Sequence, residues 1–218
     1  MSEIINKEKV AQLRRVYHGK GLDEKDVKSD PMEQFEDWFE AAVENNLVDA
    51  NAMTLGTANK DGQPSSRIVL LKGFDERGFI FYTNYNSRKS NELDENPFAA
   101  LCFYWKEFDR QIRIRGEVDR LPREESADYF KSRPRDSQIG AWASHQSDYA
   151  ENREELEQRF KTLEEKYEGD DVPLPDFWGG YVLDPVCYEF WQGRPSRMHD
   201  RIVYEKNNGN WEIKRLYP

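Results

Sequence analysis

At 218 residues the chain is long enough to bury a substantial core, as one large domain or two small ones. Its 42 acidic against 32 basic residues leave a formal charge of −10, which opposes non-specific attraction to nucleic acid or to an anionic membrane surface, so any anion site must be a local cluster. The longest wholly apolar run, FAALCFYW at 98–105, falls far short of the ~20 residues that a membrane-spanning helix needs.

In chain order, the N-terminal MSEIINKEKVAQLRR mixes both charge signs and lacks the apolar stretch of a secretory signal, which points to the cytosol. Residues 3–18 read as a helix carrying Ile4, Val10, Leu13 and Tyr17, ended by Gly19 and Gly21. A firmer helix starts at Asp30-Pro31, a capping residue followed by proline at the first helical position, with Phe35, Trp38, Phe39, Ala42 and Val43 on one stripe. From residue 52 the period shortens. AMTLGTA, the turn NKDG, RIVLLKGF, the turn DERG and FIFYTN read as an antiparallel meander. A short helix capped by Ser87 fits 87–96, before strands at 98–105 and 110–121.

Helical signals return at 122–133 and at 152–169, where Leu156, Phe160, Leu163 and Tyr167 form a stripe. After the proline-rich DDVPLPDFWGG, the segments YVLDPVCYEFWQG, RMHDRIVYEK and WEIKRLYP again read as strands. Two groups of strands separated by helices, without βαβ alternation, predict an α+β fold, mainly antiparallel, as a sheet or barrel with helices around it. Cys102 and Cys187 fall in strand-like segments and are read as two buried thiols in preference to a disulfide. His18, His145 and His199 are scattered singly, so no metal is expected.

Basic residues gather in five places: Arg67 and Lys72; Arg88 and Lys89; Arg110, Arg113 and Arg115; Arg133 and Arg135; and Arg194, Arg197 and Arg201. Each is either a solvated strand edge or an anion site, and charge-assisted bonds from arginine forks favour phosphate in the second case. On a helix Tyr129 and Arg133 share a face, and with Ser137 they present a phenol, a guanidinium and a hydroxyl to one phosphate; the same spacing also suits a core tyrosine. In 190–201, strand alternation puts Arg197, His199 and Arg201 on one face, beside Trp191.

RIVLLK at 67–72, FYTNYNSRKSNEL at 81–93, YFKSRPRDSQIGAWAS at 129–144, QS at 146–147, FWGG at 177–180 and EFWQGRPSRMHDR at 189–201 resemble the pyridoxamine 5′-phosphate oxidase family, in order from about residue 10 to the end. The resemblance implies a single split β-barrel domain over 1–218 that binds FMN, with 1–20 as a mobile lid, in a cytoplasmic homodimer whose active sites draw on both subunits. By position it assigns FMN to Arg67, Ile68, Val69, Leu70, Leu71, Lys72, Tyr82, Thr83, Arg88, Lys89, Gln111, Gln146, Ser147, Trp191 and Arg201. Lys72, Tyr129, Arg133 and Ser137 are implied for the substrate phosphate, Arg197 and His199 for catalysis at the pyridine ring, and Arg14 and Tyr17 for the lid. The implied reaction oxidises pyridoxamine or pyridoxine 5′-phosphate to pyridoxal 5′-phosphate with dioxygen, forming hydrogen peroxide. Two other classes remain: a split-barrel FMN-binding protein without turnover, and a nucleic-acid-binding β-domain, which a sequence pI of about 5.0 disfavours.

Overall fold

The computed structural model describes residues 7–218. In chain order the elements are helices α1 (Lys7–Gln12) and α2 (Pro31–Glu44), strands β1 (Ala52–Ala58), β2 (Pro64–Leu70), β3 (Gly73–Asp75) and β4 (Gly78–Asn84), and helix α3 (Arg88–Glu95). Strands β5 (Phe98–Trp105) and β6 (Arg110–Arg120) follow, then helices α4 (Arg123–Ser132), α5 (Arg135–Ala143) and α6 (Arg153–Lys166). Strand β7 (Trp178–Gln192), a 3₁₀ turn at Pro195–Arg197, and strands β8 (Asp200–Asn207) and β9 (Asn210–Arg215) complete the chain.

These elements fall into two compact units. The larger comprises Val48–Phe103 and Arg113–Tyr188, and its strands run in the order β2-β1-β5-β6-β7-β4-β3. The β1–β2, β1–β5, β3–β4 and β4–β7 pairs are all antiparallel, as the meander predicted. β1 and β5 alternate buried and less buried residues, which sends Leu55, Leu101 and Phe103 into the core. β4 is buried along nearly its whole length, and Phe81 stacks on Tyr181 of β7 at 5.5 Å. Pro185, with no N–H to give, lies beyond the last β4 partner pair, Phe79↔Leu183. A second cluster of Phe130, Ile139, Tyr167, Val172 and Trp178 joins α4, α5 and the chain before β7, with Phe160 and Leu163 of α6 packed against it.

The smaller unit holds the described residues up to Leu47, with Tyr104–Ile112 and Glu189–Pro218. Asp30 accepts the Met32 N–H (2.7 Å) and Pro31 opens α2, as its sequence signals. The apolar stripe of α2 then meets aromatic partners: Trp38 stands edge-on to Phe190 at 5.3 Å and Phe39 lies 6.3 Å from Trp105. Arg110 covers the Trp38 ring at 4.2 Å, and the β8–β9 hairpin is antiparallel.

Three expectations change. The N-terminal helix ends at Gln12 instead of 18, and residues 13–20 are irregular; the expected helical residues 3–6 lie outside the described residues. Residues 135–143, unassigned from sequence, form α5 directly after Pro134. Both cysteines are free thiols as expected, but only Cys187 is buried, Cys102 being half-buried.

Candidate active site

Ser87 occupies the N-cap position of α3 with extended backbone, yet its hydroxyl makes no capping bond. It accepts instead from Lys89 Nζ (3.1 Å), while the first N–H of the helix, that of Arg88, is taken by Ser147 Oγ (3.1 Å). Ser147 does this from a left-handed backbone, φ 80°, which non-glycine residues rarely adopt and which clusters at functional sites. Lys89 is thereby buried, 8% exposed, against three neutral oxygens, the others being Thr83 Oγ1 and Gln146 Oε1, each at 3.0 Å. Burial, then the like charge of Arg67, lowers its pKa to about 8, with Glu92 acting in the opposite sense.

The β1–β2 register sets Thr57 opposite Ser65 and Leu55 opposite Arg67. Arg67 donates to both hydroxyls and to Glu92 Oε2 (3.2 Å), and the two hydroxyls donate to the same carboxylate oxygen. The other oxygen, Oε1, accepts from Arg88 Nε at 2.9 Å. Burial pushes the Glu92 carboxyl up, but the bonds from Ser65, Thr57, Arg88 and Arg67 outweigh it and hold the pKa at about 2.

A second cationic position forms where α4 stops. Pro134 forces Arg133 into extended backbone (φ −72°, ψ 148°), so Tyr129 and Arg133 do not share a helix face as their spacing predicted. They still meet across the same aromatic stack. Tyr129 lies on Tyr82 at 3.9 Å, Tyr82 on Trp178 at 5.5 Å, and the Arg133 guanidinium over Trp178 at 4.6 Å. Burial lowers the Arg133 pKa, and its Nη1 is buried with no hydrogen-bond partner among the described residues. A buried donor left unmade costs about 1–3 kcal/mol, more when charged, so this nitrogen is set for an acceptor.

Both positions border one cavity of about 790 Å³ in the larger unit. Of the predicted residues, Arg67, Ile68, Val69, Leu70 and Lys72 line it from β2 and the turn that follows. Tyr82, Thr83, Arg88, Lys89, Gln146 and Ser147 line it too, as do Tyr129, Arg133 and Ser137. Leu71 does not line it; its side chain is buried, 4% exposed.

The remaining predicted residues belong to the smaller unit. Tyr17 packs edge-on against Trp191 (5.6 Å) and His199 (5.1 Å), and these two rings lie 4.7 Å apart. Gly193 permits this: an added Cβ there would lie 2.6 Å from Tyr17. Asp109 anchors the same segment by accepting the His18 N–H (3.0 Å) and pairing with Arg15. His199 Nδ1 accepts the Arg194 N–H (3.1 Å), and burial together with the charge of Arg197 lowers its pKa below the usual imidazole value. Arg197 and His199 precede β8, so they do not share a strand face with Arg201; Pro195 starts a 3₁₀ turn in which Ser196 and Arg197 have φ of 58° and 61°. Arg201 donates to Glu189 (2.8 Å) and to the Tyr217 carbonyl (2.9 Å). Gln111 is half-buried in β6 and Arg14 is exposed.

Sequence reasoning missed Ser65, Glu92 and Trp178. Glu92 stands four residues after Arg88, the helical ion-pair spacing, and Trp178 lies in the FWGG block. Ser65 carries no such signal, since only strand register brings it to Thr57.

The comparisons with known proteins agree with this geometry. Residues 39–167 match the sequence model of the family described as pyridoxamine 5′-phosphate oxidase, and 178–218 match that of the pyridoxine 5′-phosphate oxidase C-terminal dimerisation region. The chain is 54% identical to the pyridoxine/pyridoxamine 5′-phosphate oxidase of Rubrobacter xylanophilus, over 96% of both chains, and 52% identical to that of Salinibacter ruber, over 96% of this chain and 99% of the other. Among solved structures, Burkholderia lata PhzG, in complex with tetrahydrophenazine-1-carboxylic acid, superposes with a TM-score of 0.86 at 33% identity, covering 92% of this chain and 99% of that one. An FMN-binding, pyridoxamine 5′-phosphate oxidase-related protein of Nostoc punctiforme is alike in fold alone, at 18% identity and TM-score 0.70, over 88% of this chain and all of that one. The α+β split barrel expected from the sequence stands, and with likeness this extensive the chain belongs to the pyridoxamine 5′-phosphate oxidase family.

Proposed function

We propose that this chain is an FMN-dependent oxidase converting pyridoxamine and pyridoxine 5′-phosphate to pyridoxal 5′-phosphate. The observation that carries the reading is one cavity bordered by two sets of phosphate-type donors, Arg67, Arg88 and Lys89 on one side and Tyr129, Arg133 and Ser137 on the other. Its volume, about 790 Å³, suits a small-molecule site. The unpartnered Arg133 Nη1 and the buried Lys89 ammonium fit two phosphoesters, one of the cofactor and one of the substrate.

When bound, FMN supplies a two-electron acceptor for hydride from the substrate C4′, and dioxygen takes the electrons onward to give hydrogen peroxide. The protein supplies orientation. Arg67, Arg88 and Lys89 would hold the cofactor phosphate and β2 from Arg67 to Leu70 would help to line the flavin's place, while Thr83, Gln146 and Ser147 fix Lys89 and the Arg88 backbone. Arg133, Tyr129, Ser137 and Lys72 anchor the substrate phosphate, which turns a bimolecular encounter into a held geometry. Arg197 and His199 are assigned to the pyridine ring, Gln111, Trp191 and Arg201 to the flavin, and Arg14 and Tyr17 to a closing N-terminal lid; of the 1–20 expected for that lid, 1–6 lie outside the described residues. A homodimer with shared active sites is supported by the family's dimerisation region and by apolar side chains left exposed on the larger unit, Ile68 at 65% and Phe98 at 59%. A cytoplasmic setting accords with there being no helix, among the described residues, long and apolar enough to cross a membrane.

The test is optical. Purified protein is expected to be yellow and to bleach when pyridoxamine 5′-phosphate is added without oxygen, then to form peroxide on aeration. Colourless protein that gains no activity with added FMN overturns the reading, and bleaching without peroxide overturns the choice of acceptor. Flavin binding without bleaching indicates a split-barrel flavin carrier instead.

A further inference from the structure

We propose that Glu92 is a positioning residue for flavin binding: its carboxylate bridges Arg67 and Arg88 and presets them to receive a phosphomonoester. The inference rests on the FMN reading and deepens it.

Glu92 lies on the inner face of α3, 5% exposed, in a place where stability alone favours an apolar side chain. A buried carboxylate loses its hydration, and ion pairs with two arginines return that loss only when further hydrogen bonds support them. Here four donors meet it. Oε2 collects Thr57, Ser65 and Arg67, and Oε1 collects Arg88. The arrangement joins two elements through one carboxylate: β2, which carries Arg67, and α3, which carries Arg88. Arg88 is the one that needs holding. Its side chain is 69% exposed, and the bond from its Nε to Glu92 leaves its two terminal nitrogens for an anion.

The charges agree with this role. Arg67, Arg88 and Lys89 with Glu92 sum to +2, the complement of a phosphomonoester dianion. Plain Coulomb attraction argues the other way, since a carboxylate beside a phosphate repels it and its removal should tighten binding. The two accounts therefore differ in sign. Positioning predicts that neutralising Glu92 weakens FMN binding, because the freed arginines must be ordered again at each binding event.

The experiment titrates flavin-stripped full-length protein with FMN and, separately, with riboflavin, which lacks the phosphate, following flavin fluorescence. For Glu92→Gln the FMN dissociation constant should rise roughly tenfold, on the order of the cost of immobilising one or two long side chains, with riboflavin affinity unchanged. Glu92→Asp keeps the charge but is one methylene too short to reach both arginines, and should weaken FMN several-fold, again sparing riboflavin. Unchanged or tighter FMN binding by Glu92→Gln overturns the proposal, as does wild-type affinity in Glu92→Asp. Equal loss of both flavins in the two variants also overturns it, since that marks a merely structural carboxylate. Wild-type protein that binds neither flavin defeats the cofactor reading itself and this inference with it, an outcome distinct from all the others.

Discussion

Lys89 is a buried ammonium held by oxygens that carry no charge, and this makes its proton part of ligand binding. On the proposed reading it is the protonated form that grips phosphate. In the free protein the proton leaves around pH 8, whereas a bound dianion retains it to higher pH, so FMN affinity should be full below 8 and decline above it. On the acid side the phosphate itself limits binding, with its second ionisation near about 6. Lys89→Ala is expected to raise the FMN dissociation constant by roughly 10- to 100-fold, the worth of one charge-assisted bond, to lose the alkaline decline, and to regain most of its turnover in excess FMN. Fluorescence titration between pH 6 and 10 checks all three. Arg197 should behave in the opposite way. Arg197→Ala is expected to lower turnover on the order of a hundredfold while bound flavin, read at its visible absorbance, stays at the wild-type level. At this scale the cations of the site were legible in the sequence, because arginine and lysine clusters stand out in an acidic chain. Their counter-ion was not: Glu92 is one of 42 acidic residues, and only the fold shows it meeting two arginines at once.

The elements were legible where local chemistry and tertiary packing agree. Asp30-Pro31 opens α2 because cap and proline act before any packing, and the alternation of β1 survives because one of its faces is buried. Residues 135–143 were missed since a nine-residue helix with a central glycine has little intrinsic helical signal; it is held by Ile139 inside the aromatic cluster. The strand expected at 197–206 starts only at Asp200, because Pro195 turns the chain into a single 3₁₀ turn. Sheet packing makes its own demand at Gly116 of β6, where a Cβ would lie 2.0 Å from the Asp184 carbonyl oxygen. The obstacle is backbone and cannot rotate away. Gly116→Ala should therefore destabilise the protein by about 1–3 kcal/mol, read as a lowered melting temperature with flavin absent.

For the molecule as a whole, composition already pointed away from nucleic acid, and strand grouping already pointed to an antiparallel α+β fold. Assembly was legible only through the resemblance, since no pattern in a single sequence marks an apolar side chain that stays exposed. Phe98, 59% exposed on β5, is such a residue. If a second copy covers it, Phe98→Glu should shift the light-scattering mass from twice the 25.8 kDa chain to a single chain. Wild-type mass in the variant would place the subunit boundary elsewhere.

The guanidinium of Arg133 lying over the Trp178 indole has an optical corollary. An oxyanion arriving at that nitrogen draws the cation's field away from the ring whose excited state feels it most. If Arg133 takes the substrate phosphate as proposed, Trp178 is a built-in dye for its capture: protein stripped of flavin should change its tryptophan emission saturably as inorganic phosphate is added, and Trp178→Phe should silence that response.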